Sequence, residues 1–387
     1  YSSSHDQLDE HWIKITTENE KRYFKKKWRG YIGNSYLKDI KWGNKVFLKS
    51  PEITIMSQSN KKNEYNSPLV SSIVPCYNRK GMLKRTIKSL INQTHSNHQI
   101  IFVDDGSIQI LEPFLKDQLK SFKGDWKIIR ISYNSGPGIA RKIGMQNCNG
   151  KYIQFIDSDD EALPDKISEQ LKTLENNKEL LMTYGTTLVG KKDEDMVILG
   201  RTNKAKQKIA PLFPYNVYWT TSSILWRKEY ISEDSWFPLF GSEDLLFEFI
   251  NGLMDYPIMH TPSKKPILKK WVHPKNISNK IATDYLYQME ILKCFDIIYE
   301  KLKEERELSQ LKIVAELYRS KIMFFLVHRR YNEAHYCIYM YAFKYVNVFL
   351  ISRVLFIFSF VHLLVRTQVQ NHLHHTQAHL LTFTRYS

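Results

Sequence analysis

Short apolar runs alternate with amphipathic stretches over the first half of the chain. Apolar runs that end at polar turns are typical of buried strands, and apolar residues spaced three and four apart are typical of helices. Strand-like runs cover 72–78, 99–103, 126–131 and 152–156, with helical patterns over 82–92 and around Arg141 and Lys142. This alternation predicts an α/β fold with a parallel sheet and right-handed crossovers.

An acidic turn follows the last of these runs directly. It consists of Asp157, Ser158, Asp159 and Asp160. Carboxylates this close together repel one another unless a cation lies among them. Hard oxygen ligands suit Mg²⁺ or Mn²⁺, and open α/β sheets bind their ligands at the carboxyl ends of strands. The pattern therefore predicts a divalent-metal site, with an acidic, solvated turn as the alternative.

Five segments occur in an order that resembles one enzyme family. They read SSIVPCYNR, IIFVDDGS, NSGPGIARKIGM, GKYIQFIDSDD and GSEDLLF, and they fall within about residues 68–275. Together they resemble the family-2 glycosyltransferases of GT-A fold. The resemblance implies a Rossmann-like, mostly parallel sheet flanked by helices, with a nucleoside-diphosphate sugar bound across its carboxyl edge. The chain lacks the Gln-x-x-Arg-Trp motif of processive members, which favours the non-processive type.

The resemblance also implies which residues bind the donor. They are Pro75, Tyr77, Asn78, Asp104, Asp105, Gly136, Arg141, Asp157 and Ser158. The turn after the first strand borders the nucleobase, and Asp105 accepts a hydrogen bond from the base, with Asp104 as the second candidate. An acidic cap on the next segment is the alternative for this pair. Arg141 reaches the diphosphate or frames the pocket, and its alternative is a surface position on a helix.

The metal ligands follow from the same resemblance. Asp159 is the direct ligand, whereas Asp157 contacts the ribose or a metal-bound water. Asp160 makes the Asp-x-Asp motif ambiguous by one residue, so it is a third candidate. His273 is carried over as a further ligand, although a single histidine is more often structural or simply exposed. The implied cofactor is Mn²⁺ or Mg²⁺, which neutralises charge on the leaving nucleoside diphosphate.

The resemblance assigns the general base to Asp244, with Glu243 supporting it or lining the acceptor pocket. Simple capping of the helix by Ser242, Glu243 and Asp244 is the alternative, and both roles are compatible. A single base without a nucleophile predicts one in-line displacement that inverts the anomeric carbon. The predicted donor is a UDP-sugar, and the predicted acceptor is a hydroxyl of a glycan or of a lipid-linked molecule.

Other functions remain as alternatives at this point. A catalytically inactive relative that binds nucleotide or glycan as a scaffold is the main one. A nucleotidyltransferase would need a phosphate loop that the segment 76–81 resembles poorly. Nucleic acid is not an expected partner, because no nucleic-acid-binding motif accompanies the basic residues.

Composition adds a strong positive charge. The 387 residues carry a net charge of +16, and the stretch 21–29 mixes basic and aromatic residues. Such a stretch suits anionic lipids, an acidic glycan or nucleic acid, while a solvated basic arm is an equal alternative. Four scattered cysteines favour a reducing compartment. We therefore predict a cytoplasmic protein, with a peripheral contact at the inner face of the membrane as a further expectation.

Three regions are predicted along the chain. Residues 1–66 form a basic N-terminal extension and linker, residues 67–275 the glycosyltransferase domain, and residues 276–387 a helical C-terminal region. The last region contains the hydrophobic segment 346–365, whose length approaches that of a membrane span. Arg353 near its middle favours a buried or interfacial helix over a spanning one.

Overall fold

A computed structural model describes residues 52–59, 66–199, 219–239, 241–254, 256–263, 265–274 and 285–304, together with single positions between 314 and 337. The chain divides into two compact units, and every strand and helix named below lies in the first unit, which ends at Glu305. Among the described positions of the second unit, Leu317 and Tyr318 are helical and buried. The basic stretch 21–29 and the segment 346–365 lie outside the described residues.

The described strands and helices follow one another in a mixed order. The strands are β1 (Ile53–Gln58), β2 (Val70–Cys76), β3 (His98–Asp105), β4 (Asp125–Ile131), β5 (Tyr152–Phe155), β6 (Glu161–Ala162), β7 (Met182–Tyr184), β8 (Thr187–Gly190), β9 (Val197–Leu199), β10 (Ile224–Arg227), β11 (Ile258–His260) and β12 (Leu268–Trp271). The helices are α1 (Lys80–Ile91), α2 (Glu112–Leu119), α3 (Pro137–Gln146), α4 (Lys166–Asn176), α5 (Glu243–Gly252) and α6 (Tyr285–Glu304).

An eight-stranded sheet forms the centre of this unit. Its strand order is β1-β4-β3-β2-β5-β10-β7-β11. Strands β4, β3, β2, β5, β7 and β11 run in one direction, and β1 and β10 run against them. The predicted α/β class is therefore confirmed, with a large, mostly parallel sheet.

Apolar side chains cover both faces of this sheet. Ile73, Ile101 and Ile129 lie in one core cluster with residues of α3 and α5. Their sequence neighbours, including Val74 and Phe102, lie in a second cluster with residues of α1 and α2. Because side chains alternate along a strand, a strand covered on both faces is apolar almost throughout. This is why β2, β3, β4 and β5 were predictable as continuous apolar runs.

Strand β1 was not predicted, because its segment was assigned to the N-terminal extension and linker. It pairs antiparallel with β4, from Ile53 opposite Ile131 to Gln58 opposite Trp126. Most of its side chains are exposed, so its sequence lacks the apolar run that marks a central strand. The segment 53–58 therefore contributes an edge strand to the main sheet. The exact limits of the three predicted regions stay predictions.

A smaller sheet of four strands, in the order β6-β12-β8-β9, carries the chain back toward the acidic turn. Strand β6 begins directly after Asp160, and β12 pairs with it antiparallel, with Leu268 opposite Ala162. The residues that follow β12 are thereby placed beside the end of β5. No helix among the described residues is long and apolar enough to cross a membrane.

A buried lysine lies between the main sheet and α4. Lys166 is fully buried, and its Nζ donates to Gln154 Oε1 at 2.6 Å and to Gln170 Oε1 at 2.8 Å. Burial lowers the pKa of Lys166 to about 7, because the charged ammonium loses its hydration. The folded protein therefore holds this side chain largely neutral at alkaline pH.

We expect Lys166→Met to flatten the pH dependence of stability. Between pH 7 and the ordinary lysine pKa of 10.5, the unfolded wild type binds about one more proton at Lys166 than the folded protein. Its unfolding free energy therefore rises with pH, by about 1.4 kcal/mol per unit. Urea unfolding at pH 8, 9 and 10 measures this slope. The variant Lys172→Met, on the exposed face of α4, should keep the wild-type slope. Equal slopes in wild type and Lys166→Met would contradict the prediction.

Candidate functional site

The turns that follow β2, β3 and β5 meet at one edge of the main sheet, because these strands are parallel neighbours. Pro75, near the end of β2, is half-buried, and the ring of Tyr77 is 40% exposed. Asn78 adopts a left-handed conformation with φ of 52°. Its N–H donates to Ser107 Oγ at 2.9 Å, and its Oδ1 accepts from the Ile108 N–H at 2.8 Å. Asn78 therefore joins two turns and leaves Tyr77 open at the edge.

Asp104 and Asp105 are both buried beneath these turns. Asp104 accepts from the Ser107 N–H at 3.0 Å and from Arg130 Nη1 at 2.5 Å. Asp105 accepts from the N–H groups of Ser135 at 2.7 Å and Gly136 at 2.8 Å. Burial raises the pKa of Asp105 to about 7, although these N–H groups oppose the shift. Both carboxylates thus hold loop backbone, and the contact of either one with a nucleobase stays a prediction.

Two glycines bring α3 close to the preceding and following loops. Gly136 has φ of 90°, a conformation that favours glycine, and it lies at the N-cap of α3. At Gly138, a Cβ would lie 2.2 Å from the Phe237 carbonyl oxygen. The loop before α5 can approach α3 this closely because Gly138 has no side chain. That approach brings α5 to the same edge as β5.

Arg141 joins the end of β5 to the start of α5. It is buried, and its guanidinium donates to Glu243 Oε1 at 2.6 Å and to Asp157 Oδ1 at 2.8 Å. The guanidinium also lies 5.1 Å from the ring centre of Trp236, which stacks on Phe247 at 4.0 Å. The alternative of a surface position is therefore wrong for Arg141. Its direct contact with a diphosphate stays a prediction.

The two carboxylates at Arg141 differ in their pKa. Burial alone would raise the pKa of Asp157, but the charges of Arg141 and Lys270 outweigh it and hold the pKa below its ordinary value. Glu243 lies deeper, and burial and the charge of Asp244 raise its pKa to about 7 despite Arg141. Asp157 is therefore ionised at neutral pH, whereas Glu243 exchanges its proton in that range.

Asp159 lies between two basic side chains. Its Oδ2 forms an ion pair with Arg79 and lies 2.9 Å from His273 Nε2. Arg79 follows the turn after β2, and His273 follows β12, so two distant segments converge on one carboxylate. The structure thus brings together two of the predicted metal ligands. The contact with Arg79 was not predicted, because Arg79 is only the last residue of the motif SSIVPCYNR.

Asp160 is buried deeper in the acidic turn, as is Ser158. Burial and then the charge of Asp157 raise the pKa of Asp160 well above its ordinary value. Its Oδ2 has no hydrogen-bond partner among the described residues. Lys270 on β12 lies near this turn, and the carboxylates of Asp160, Asp157, Asp244 and Asp159 raise its pKa against the effect of burial. The sequence analysis missed Lys270.

The donor set at this edge fits a metal only in part. Within the described ranges, no three side chains of His, Cys, Asp or Glu converge as ligands. Asp159 and His273 lie together, whereas Asp157 faces Arg141. A Mg²⁺ or Mn²⁺ ion often takes one or two protein ligands and completes its shell with water and substrate phosphates. Asp159 and His273 match that pattern, and the buried, unpartnered oxygen of Asp160 belongs to the same turn.

The start of α5 presents Asp244 at the same edge. Ser242 has φ of 61° and its side chain makes no capping bond within the described structure, so capping by Ser242 is not observed. Asp244 is partly exposed; its Oδ2 accepts from Thr221 Oγ1 at 2.9 Å and its Oδ1 from the Leu245 N–H at 2.8 Å. Asp244 therefore has a fixed orientation and remains accessible to a substrate.

One turn further along α5, a second carboxylate is buried. Glu248 accepts from Trp219 Nε1 at 2.8 Å, and burial and the charge of Asp244 raise its pKa to about 8. The sequence analysis missed Glu248. Trp219 is buried against Tyr184, with ring centres 4.9 Å apart, so it belongs to the core.

We expect Arg141→Ala to lower the unfolding free energy by about 3–5 kcal/mol. The change leaves Glu243 buried and Asp157 half-buried without their cation, and such loss of one partner is costly. The matched control is Lys142→Ala on the same helix. Lys142 pairs with Asp234, whose side chain is 82% exposed, so its loss should cost at most about 1 kcal/mol. Denaturant unfolding of both variants tests this, and similar losses would contradict it.

Parts of the chain are similar to known glycosyltransferases. Residues 71–228 match the family model for glycosyl transferase family 2. A glycosyltransferase of Rickettsia conorii is 42% identical over 120 residues, which are 30% of this chain and 19% of that protein. The Bacillus subtilis protein named as the glycosyltransferase EpsH is 27% identical over 274 residues, 67% of this chain and 75% of its own. The crystal structure of Staphylococcus aureus TarS 1–349 with UDP-GlcNAc shares 15% identity, covers 71% of this chain and 91% of that chain, and has a TM-score of 0.48.

The stretch shared with the family model contains most of the edge of the main sheet described above. In four relatives from Rickettsia and Haemophilus, the match spans only 17–47% of the relative's own length. The family model begins within β2 and ends just after β10, so it contains Asp104, Asp105, Arg141 and the acidic turn. Residues 71–228 of the chain thus form a region that matches the glycosyl transferase family 2.

Proposed function

We propose that this protein is an inverting glycosyltransferase that moves a sugar from a nucleoside-diphosphate donor, with a UDP-sugar as the first candidate, to a hydroxyl of a glycan or lipid-linked acceptor. The observation that supports this proposal most is that carboxylates from two separate segments lie at one edge of the main sheet. The acidic turn after β5 and Asp244 on α5 come from separate segments, yet Arg141 and Thr221 hold them there. The residues proposed for the donor side and for the base thus lie at the same edge.

The donor side is the edge bordered by Tyr77 and the acidic turn. The exposed ring of Tyr77 suits stacking on a nucleobase, because aromatic faces pack well against flat rings. Arg79 and Lys270 place positive charge near Asp159, where diphosphate oxygens would lie. When bound at Asp159 and His273, Mg²⁺ or Mn²⁺ would neutralise charge on the departing diphosphate.

The acceptor side is the start of α5. Asp244 is the proposed base, because it is accessible and both of its oxygens have fixed donors. A helix N-terminus stabilises a carboxylate in its ionised form. Glu243 lies beside Asp244 but is bonded to Arg141, so its role is to hold Arg141 in place.

The base assignment predicts a selective loss of turnover. We expect Asp244→Asn to lower kcat by about 10²–10⁴-fold, since a positioned base contributes on that order. The affinity for the donor diphosphate should stay unchanged, because Asp244 acts on the acceptor. Asp234→Asn, at a carboxylate that is 82% exposed, is the control and should keep full activity. Near-normal turnover in Asp244→Asn, or a loss confined to donor affinity, would contradict the assignment.

The metal and donor assignments predict a conditional stabilisation. We expect one of UDP, GDP, dTDP or CMP to raise Tm only with Mn²⁺ present, by the equivalent of about 2.7 kcal/mol at 100 times its Kd. Asp159→Ala should abolish the shift, and Asp193→Ala, at an exposed carboxylate, should keep it.

The outcomes of this thermal-shift experiment separate the parts of the proposal. A shift that needs neither Mn²⁺ nor Asp159 would overturn the metal assignment and leave a nucleotide-binding protein. No shift with any nucleotide, from a folded sample, would overturn the transferase proposal. The scaffold alternative would then take its place.

A further inference from the structure

The short segment just before β10 contacts both halves of the site. Trp219 donates to Glu248, Thr221 Oγ1 donates to Asp244 Oδ2 at 2.9 Å, and Ser222 Oγ accepts from the Asp157 N–H at 3.0 Å. Two adjacent hydroxyl groups, Thr221 and Ser222, thus bond to the base on one side and to the acidic turn on the other. We call residues 219–222 the hydroxyl clip.

The hydroxyl clip is a rigid element. Its last three residues belong to a tight turn in which the Ser223 N–H donates to the Thr220 carbonyl at 2.8 Å and Ser223 Oγ donates to the same oxygen at 2.7 Å. Gln170 on α4 donates to the Ser223 carbonyl at 2.9 Å. Thr221 and Ser222 are both buried. The positions of both hydroxyl oxygens are therefore set by the core.

The contact of Thr221 with Asp244 concerns the proposed reaction directly. The Leu245 N–H fixes Oδ1 of Asp244, and the Thr221 hydroxyl fixes Oδ2. A carboxylate that keeps only one of these bonds is free to rotate about its side-chain torsion. In-line transfer needs reacting atoms about 3–3.5 Å apart, and a shift of about 1 Å can cost about 100-fold in rate. The hydrogen bond from Thr221 is therefore more important for the rate if Asp244 is a base than if it is a surface carboxylate.

Trp219, the first residue of the hydroxyl clip, also contacts α5. Glu248 follows Asp244 by four residues and lies on the same side of α5. Its hydrogen bond with Trp219 is a second contact between α5 and the hydroxyl clip. On the side of the acidic turn, the Asp157 N–H donates to Ser222 Oγ. Asp244 and the acidic turn are thus hydrogen-bonded to two adjacent residues of one segment, Thr221 and Ser222.

We propose that Thr221 and Ser222 are positioning residues with separate roles: Thr221 orients Asp244 for proton removal, and Ser222 orients the acidic turn for donor binding. This inference rests on the proposed function. It assigns neither residue a contact with the substrate. Arg141 connects the same two parts of the site by ion pairs with Glu243 and Asp157. The hydroxyl clip connects them by hydrogen bonds from two adjacent residues.

The test is a comparison of Thr221→Val, Thr221→Ser and Ser222→Ala in the full chain. Steady-state kinetics give kcat, and calorimetry gives the Kd of the diphosphate identified by thermal shift. We expect Thr221→Val to lower kcat about 10-fold, the loss of one hydrogen bond to an ionised group, with the Kd within about twofold. Thr221→Ser should restore kcat. Ser222→Ala should weaken the Kd about 10-fold.

Several results would overturn the inference. Thr221→Val with wild-type kcat, or with kcat and Kd reduced together and no rescue by Thr221→Ser, would show a structural role only. Ser222→Ala with unchanged Kd would remove its assigned role. If Thr221→Val does not fold, Thr221→Ala carries the same expectations and the same contradicting results. Full activity of Asp244→Asn would instead refute the proposed function, so the two failures are distinguishable.

Discussion

The bridge from Arg141 to Asp157 and Glu243 is the interaction on which the geometry of the site depends. A buried guanidinium costs several kcal/mol of desolvation unless its partners are well placed. Here the partners come from the end of β5 and the start of α5, and Trp236 covers the guanidinium from the side. Moving any one of these segments leaves a buried charge unpaired. The three segments are therefore fixed relative to one another by electrostatics as well as by packing.

The same edge concentrates negative charge in a protein that is strongly basic as a whole. Burial alone would lower the pKa of Lys270, but the charges of Asp160, Asp157, Asp244 and Asp159 together raise it. Basic side chains offset this charge from three separate segments, because Arg79 lies on Asp159, Arg141 on Asp157 and Lys270 near Asp160. Cations and carboxylates from separate segments therefore lie together at this edge. The cations reduce the repulsion, and a divalent ion at Asp159 would reduce it further.

The sequence predicted the parts of this protein that depend on local pattern. Strands β2 to β5 are covered on both faces, so each appears as an apolar run, and the acidic turn follows one of them. Strand β1 escaped prediction because an exposed edge strand has no such run. Arg79 and Lys270 escaped because they are two among 56 lysines and arginines, and position alone gives them no distinction. Thr221 and Ser222 contact residues 23 and 65 positions away, and only the folded chain shows these pairs.

Two neighbouring acidic side chains at the start of α5, Glu243 and Asp244, differ in burial and in their hydrogen-bond partners. Glu243 faces inward onto Arg141, and its desolvation raises its pKa to about 7. Asp244 follows directly, yet it faces the open edge and receives the Thr221 hydroxyl and the Leu245 N–H. Because successive residues of a helix point about 100° apart, these two neighbours face different surroundings. The geometry of the helix, together with these separate contacts, thus divides a buried carboxylate that supports Arg141 from an accessible one.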